Sequence, residues 1–306
     1  MMWLLLAFMS AALLGCYDSL KKDALKNNAV IPVLFLNTLF SSLIFLPFIL
    51  LSVTTTTLDG TIFHVDVGNW SLHIYILLKA LIVLSSWVLG YFGMKHLPLT
   101  IVGPINATRP VMVLIGALLV FGERLNLWQW LGVLLAVTSF LMLSRSGKKE
   151  GIDFKHDRWI YMIVGSAALG AVSGLYDKYL MAPAEAGGVG LDRMMVQSMY
   201  NIYQCLMMLF MLVFLWWPRR SDTTPFHWSW SIVGVSLFLS TADFMYFYSL
   251  SLPDAMISIV SMVRRGSVIV SFLFGAMLFH EKNLKAKAFD LALVILGMIF
   301  LYIGSK

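Results

Sequence analysis

The chain has 306 residues, 59% of them hydrophobic and only 12% charged, with 19 Met, 21 Phe, 11 Tyr and 10 Trp. That balance excludes a soluble globular domain and defines an integral membrane protein. The net charge of +6 does not imply nucleic-acid binding, because the Lys and Arg fall mainly in loops on one side of the apolar segments.

Ten apolar segments of membrane-spanning length are read in chain order, at residues 2–20, 31–53, 71–93, 99–121, 127–143, 159–180, 194–217, 228–250, 255–279 and 286–304. The first carries Leu13-Leu14-Gly15-Cys16, which looks like a lipoprotein cleavage site. No Lys or Arg precedes its apolar run, however, as a signal peptide requires. Cys16 and Cys205 both lie in apolar segments and read as packing residues, with no disulfide, metal or cofactor expected.

The loops after odd-numbered segments hold fourteen of the 22 basic residues: Lys21, Lys22, Lys26, Lys95, Arg145, Lys148, Lys149, Lys155, Arg158, Arg219, Arg220, Lys282, Lys285 and Lys287. The other side holds Arg124, Lys178, Arg193 and Lys306, and residues 54–69 there carry two Asp and no Lys or Arg. The positive-inside rule makes the first set cytoplasmic and puts both termini outside.

An internal repeat organises the segments. Shifted by 155, residues 85–118 lie over residues 240–273, with Tyr91-Phe92 on Tyr246-Phe247, Leu97-Pro98 on Leu252-Pro253 and Arg109 on Arg264. At a shift of 158, Phe121-Gly122-Glu123-Arg124 matches Phe279-His280-Glu281-Lys282, and at 159 Gly15-Cys16-Tyr17-Asp18 matches Gly174-Leu175-Tyr176-Asp177. The expected fold is therefore an all-α integral membrane protein, ten transmembrane helices in two five-helix repeats. Five is odd, so the second repeat enters the bilayer from the opposite side, an inverted arrangement common among transporters. The boundaries are 1–143 for the first repeat, 144–158 for a basic linker and 159–306 for the second.

The duplication, the Leu-Pro helix start and the Gly-Glu-Arg closing motif resemble the drug/metabolite transporter superfamily, and within it the EamA-type branch. Leu97-Pro98-Leu99-Thr100 with Gly122-Glu123-Arg124-Leu125 is the better copy, and Leu252-Pro253-Asp254-Ala255 with His280-Glu281-Lys282-Asn283 a degraded one. The resemblance spans essentially the whole chain and implies carriage of a small metabolite, amino acid, drug or nucleotide sugar. Many EamA-type members have their positive loops after even-numbered helices; this chain has the reverse.

Lys79, Arg109, Arg264 and Arg265 lie deep within their segments, and Asp243 is the one carboxylate read as comparably deep. A charge at that depth costs roughly 2.5–3.5 kcal/mol on insertion scales and normally marks a substrate or ion pathway. Four cations against one anion call for ion pairs or a bound anion, and Arg suits bidentate capture of phosphate or carboxylate. Phosphate and sugar-phosphate translocators of the superfamily use basic residues in helices four and nine, so the resemblance implies the same for Arg109 and the pair Arg264-Arg265. Adjacent helical residues point about 100° apart, so one of that pair is free to bind substrate while the other meets Asp243. The plainer alternative is that the cations snorkel or bond backbone carbonyls.

Tyr17-Asp18 and Tyr176-Asp177 fall near opposite membrane faces and are candidates for two gates or proton sites. Interfacial anchoring, with Asp on Lys21, Lys22 or Lys178, is the plainer reading. Asn106, Trp87, Tyr91, Tyr246 and Tyr248 are candidate cavity lining. Glu123 and Glu281, each followed by an Asn (Asn126, Asn283), read as helix-capping features, Pro98 and Pro253 as helix starts, and Pro104 and Pro110 as loosening the helix around Arg109. No enzyme motif survives its context: His280-Glu281-Lys282-Asn283-Leu284 lacks the second His of a zinc protease.

The sequence thus reads as a non-enzymatic secondary transporter working by alternating access. Its favoured substrate is a small organic anion bound by Arg109, Arg264 and Arg265, with Asp243 orienting one of them or taking a proton. The competing expectations are an exporter of neutral amino acids or cationic drugs using Asp18, Asp177 or Asp243, a flippase for a lipid-linked phosphate, and a non-transporting scaffold. The expected partners are the substrate and the lipid bilayer. Proton or counter-substrate coupling and a homodimer stay open. The expected location is a bacterial inner membrane.

Overall fold

A computed structural model of the chain describes residues 2–109, 111–112, 126–148, 154–252, 260, 263–278 and 284–304. Pro110, Glu123, Pro253, Glu281 and Asn283, which the sequence marks as helix-start, capping or helix-loosening residues, lie outside them. In hydrocarbon every backbone N–H and C=O must be satisfied within its own segment, so a chain this apolar folds as helices. The described residues form α1 (Met2–Ala24), α2 (Val30–Thr54), α3 (Trp70–His96), α4 (Leu99–Ala107), α5 (Leu127–Lys148), α6 (Arg158–Met181), α7 (Arg193–Met211), α8 (Trp230–Ser251), α9 (Ser267–Met277) and α10 (Leu284–Gly304), with no strand. Seven are long and apolar enough to cross a membrane: α1, α2, α3, α6, α7 with its extension to Arg219, α8 and α10. Beyond Met211, α7 continues as a π-helical turn (Leu212–Trp216) and a 3-10 turn (Trp217–Arg219).

Local chemistry sets the ends. Asp192 caps α7 by accepting from the backbone N–H of Met194 (2.8 Å) and Met195 (3.0 Å), and Ser229 caps α8 by accepting from Ser231 (3.2 Å). Pro98 occupies the N-cap of α4, and its carbonyl takes the first bonds, from Ile101 and Val102 at 3.1 Å. Helix α1 runs four residues past the segment read from sequence. Lys21 and Lys22 therefore belong to its last turn rather than to a loop, and Lys22 Nζ donates to the carbonyls of Met94 (2.7 Å) and Leu97, covering the C-terminal end of α3. Lys287, read as a loop residue, is fully buried in the first turn of α10.

The packing follows a pattern. α1 packs on α8 and α3 on α6; α2 meets α7 and α8, while α7 also meets α3; α1 and α4 lie against α9, α4 touches α6, and α5 pairs with α10. Close approach occurs where side chains are small. Gly15 of α1 faces Val270 of α9, and Gly90 and Gly93 of α3 face Ser166 and Ile163 of α6. Hydroxyls cross several of the helix contacts, among them α1–α8, where Ser10 Oγ donates to the Ala242 carbonyl (2.7 Å), and α3–α6, where Ser86 Oγ donates to that of Ser166 (2.8 Å). The outer surface carries exposed Leu77, Leu81, Phe210, Leu237, Leu273 and Ile299, with Trp70 and Trp230 exposed at helix starts. A belt of this kind fits lipid tails flanked by interfacial indoles.

Candidate functional site

Two local turns interrupt the helical ladder at the half-buried arginines. Helix α4, with Pro104 inside it, ends at Ala107; the Thr108 N–H bonds back to the Ile105 carbonyl (3.1 Å), and its hydroxyl donates to the same oxygen (2.7 Å). Arg109 follows directly. On the other side, the Gly266 N–H bonds to Val263 (2.9 Å), just after Arg264 and Arg265. Such three-residue turns free backbone groups from the regular ladder, which a membrane helix tolerates where it lines a cavity.

The cavity between these breaks has a volume of about 170 Å³. Of the basic side chains, Lys21, Lys79, Arg109, Arg264 and Arg265 line it, as do the carboxylates of Asp18, Asp177 and Asp243. Three cations are paired. Lys21 Nζ lies 3.0 Å from Asp18 Oδ1 and donates to the Tyr17 hydroxyl at 3.3 Å. Lys79 Nζ donates to Asp177 Oδ1 and sits over the Tyr200 and Phe247 rings, 5.1 and 5.4 Å from their centroids. Arg264 Nη2 donates to Asp243 Oδ1, stacks over Tyr246 (4.1 Å), and shares Asp243 with the Tyr200 hydroxyl, which donates to Oδ2 at 2.8 Å.

Arg109 and Arg265 have no carboxylate within 4.0 Å among the described residues. Arg109 Nη2 donates to Asn106 Oδ1 (3.2 Å), and its guanidinium lies against Gly170. The Nε–H groups of Arg109, Arg264 and Arg265 are all buried without an acceptor among the described residues. Among the described residues, five cations against three carboxylates leave two positive charges unpaired in the cavity, and buried charge in that condition is strongly unfavourable.

The sequence-predicted residues are mostly brought together here. Arg109, Arg264, Arg265, Lys79, Asp243, Asn106, Trp87, Tyr91, Tyr246, Tyr17, Asp18 and Asp177 line one cavity. Tyr248 and Tyr176 do not: Tyr248 lies 4.3 Å beneath the Arg193 guanidinium, and the Tyr176 hydroxyl donates to the Tyr75 carbonyl (3.3 Å) at an exposed position. The expectation of Asp243 as the one deep carboxylate is corrected, since Asp177 and Asp243 are both buried and Asp18 joins them. The reason is that α1 continues past Asp18 to Ala24, and that Lys79 supplies Asp177 with a counter-ion.

Lys21, Tyr200 and Phe247 escaped sequence reasoning. Tyr200 carried a signal: Gln197, Tyr200, Asn201 and Gln204 form a polar stripe at helical spacing within an apolar segment. Lys21 carries no such signal, because the apolar run of the first segment stops at residue 20, one residue before it. A further chain of hydroxyls and amides joins Asn37 Nδ2 to the Tyr91 hydroxyl (3.1 Å) and Tyr91 to Tyr17 (3.5 Å).

A helical membrane protein with a charged internal cavity is the class that the fold and site define. Residues 1–145 match the EamA-like transporter family. That match covers 145 of the 306 residues, and this part of the chain is similar to a family that lies within the drug/metabolite transporter superfamily. Among solved structures, one described only as "Crystal structure of protein" is similar to it over 99% of this chain and 97% of its own, with a TM-score of 0.65 and 12% identity. Likeness at that identity bears on the fold alone. A comparison with curated proteins gives no match.

Proposed function

We propose that the protein is a secondary transporter for a small organic anion, phosphorylated or carboxylated, held between Arg109 and Arg265. The observation that carries this reading is the pair of arginines that line one cavity with no carboxylate within 4.0 Å of either among the described residues, each with a buried Nε–H lacking an acceptor there. A ligand with one or two negative charges supplies both the missing charge and the missing acceptors. Each of the three Asp is already engaged by a cation, which argues against a cationic substrate.

The same reading takes the chain as ten helices in two inverted five-helix repeats, 1–143 and 159–306, working by alternating access. Packing supports it: replacing each helix number n by n + 5 turns α1–α8 into α6–α3, α2–α8 into α7–α3 and α1–α9 into α6–α4, all of which are contacts of the fold. The basic loops support a cytoplasmic position for the linker at 144–158.

Ligand-dependent thermal stabilisation of the purified protein tests the substrate class. Phosphates, sugar phosphates, carboxylates, amino acids and cationic drugs are compared on wild type and on an Arg109→Gln, Arg265→Gln double variant. Saturable stabilisation by anions that vanishes in the folded variant is expected. Stabilisation by amino acids or cations that survives in the variant would overturn the reading.

A further inference from the structure

The contact between α2, α7 and α8 holds polar side chains that the cavity does not explain. From α7 come Gln197, Ser198 and Gln204, from α2 Asn37 and Ser41, and from α8 Ser240; none is more than 4% exposed. Asn37 and Ser41 are four residues apart, one turn along a common face. Part of their bonding capacity is used. Gln197 Nε2 donates to the Ser240 carbonyl (3.1 Å), and Asn37 Nδ2 to the Tyr91 hydroxyl (3.1 Å). Seven of their atoms find no protein partner: Asn37 Oδ1, Ser41 Oγ, Gln197 Oε1, Ser198 Oγ, Ser240 Oγ and both amide atoms of Gln204.

An unmade hydrogen bond at one buried polar group costs about 1–3 kcal/mol, and buried polar groups in native proteins are satisfied by protein or by ordered water. We propose that α2, α7 and α8 enclose a water-binding site, a hydrated branch of the central cavity. Water is the ligand that suits this set because it donates and accepts, and Gln204 presents a donor and an acceptor beside five further acceptor oxygens. A monovalent cation is disfavoured on charge: none of the six side chains is a carboxylate, and the adjoining cavity already carries two uncompensated positive charges.

The branch meets the cavity at two hydroxyls. Tyr91, bonded to Asn37, lines the cavity, and so does Tyr200, which sits between Gln197 and Gln204 on α7 and donates to Asp243. Waters held there rehydrate Arg109, Arg265 and their neighbours when the cavity gives up a charged ligand. That consequence rests on the anion reading above; the water site itself does not.

Radiolytic labelling in H2 18O tests the site on the whole protein in detergent. Met208 lies one turn beyond Gln204 and is fully buried, whereas Met195, at 1% exposure, belongs to a separate apolar cluster. Met208 is expected to take up 18O at least tenfold faster than Met195, and Gln204→Leu to slow it several-fold; Asn37→Leu serves if that variant does not fold. Equal labelling of the two methionines in the wild type would overturn the proposal, as would a Met208 rate unchanged in a folded Leu variant. A thermal stabilisation by Na+ over choline that Gln204→Leu abolishes would replace water with a cation. None of these readouts depends on anion binding, so failure here and failure of the transport reading are distinguishable.

Discussion

The guanidinium of Arg109 lies against the bare Cα of Gly170: a Cβ there would come within 2.7 Å of Arg109 Cζ and Nη1. Glycine on α6 therefore sets where the charge on the neighbouring break can sit. Because the group it meets is the far end of a flexible side chain, Gly170→Ala is expected to leave the protein folded and to push Arg109 aside. The expected result is an apparent anion affinity weaker by about tenfold, roughly 1.4 kcal/mol, with little change in unliganded Tm. In an Arg109→Gln background the same substitution should have almost no further effect, since contacting residues couple. Additive losses across that cycle would show that Gly170 acts through something other than Arg109.

Lys79 and Asp177 join α3 to α6 across 98 positions of sequence, both nearly fully buried. Removing one partner of such a pair costs about 3–5 kcal/mol, because the other is stranded, while replacing both with apolar groups is often close to neutral. Asp177→Asn and Lys79→Met should each lower Tm clearly. The double substitution should recover most of the loss. Thermal unfolding of the four proteins decides it, and a double variant as unstable as the worse single one would sink the account.

How much of this was legible beforehand depends on whether the information was local. Helical class and most spans follow from apolar run length alone, which is why the segments read at 31–53 and 159–180 agree closely with α2 and α6. Arg109, Arg264, Arg265 and Asp243 stood out because charge in an apolar run is costly wherever the run packs. What could not be read was pairing. Nothing near Lys79 in sequence announces Asp177, and the choice of Arg264 over Arg265 for Asp243 depends on how α8 turns relative to α9. Asp18 is the exception, because its partner is local: Lys21, three residues on, is among the partners the sequence offers it, and the two pair at 3.0 Å.

That choice between adjacent arginines gives a sharp contrast. Arg264 is held by Asp243 and stacked on Tyr246, whereas Arg265 meets no carboxylate among the described residues. Arg264→Gln should destabilise the protein by leaving Asp243 with only the Tyr200 hydroxyl. Arg265→Gln should leave unliganded Tm unchanged or raise it, since it removes an uncompensated buried charge, and should abolish stabilisation by anions. Paired melts with and without a phosphorylated ligand separate the two. The same loss of Tm in both variants would assign Arg265 a structural role as well.

Gly15 ties the packing of α1 to the placement of Arg265. A Cβ at that position would lie 2.3 Å from Val270 Cβ and 3.1 Å from the Ser267 carbonyl of α9. Neither is a flexible tip, so the helices themselves must part. Ser267 begins α9 immediately after the turn at Gly266, two residues from Arg265, so parting α1 from α9 moves the start of the helix beside the binding arginine. Gly15→Ala is therefore expected to cost both stability, about 1–3 kcal/mol as an overpacked contact, and anion affinity. Val270→Gly should restore anion binding, and stability less the roughly 1 kcal/mol cost of a helical glycine, by removing the Cβ and Cγ1 that the new methyl meets. Recovery of Tm without recovery of anion binding would mean that the α1–α9 spacing and the position of Arg265 are independent.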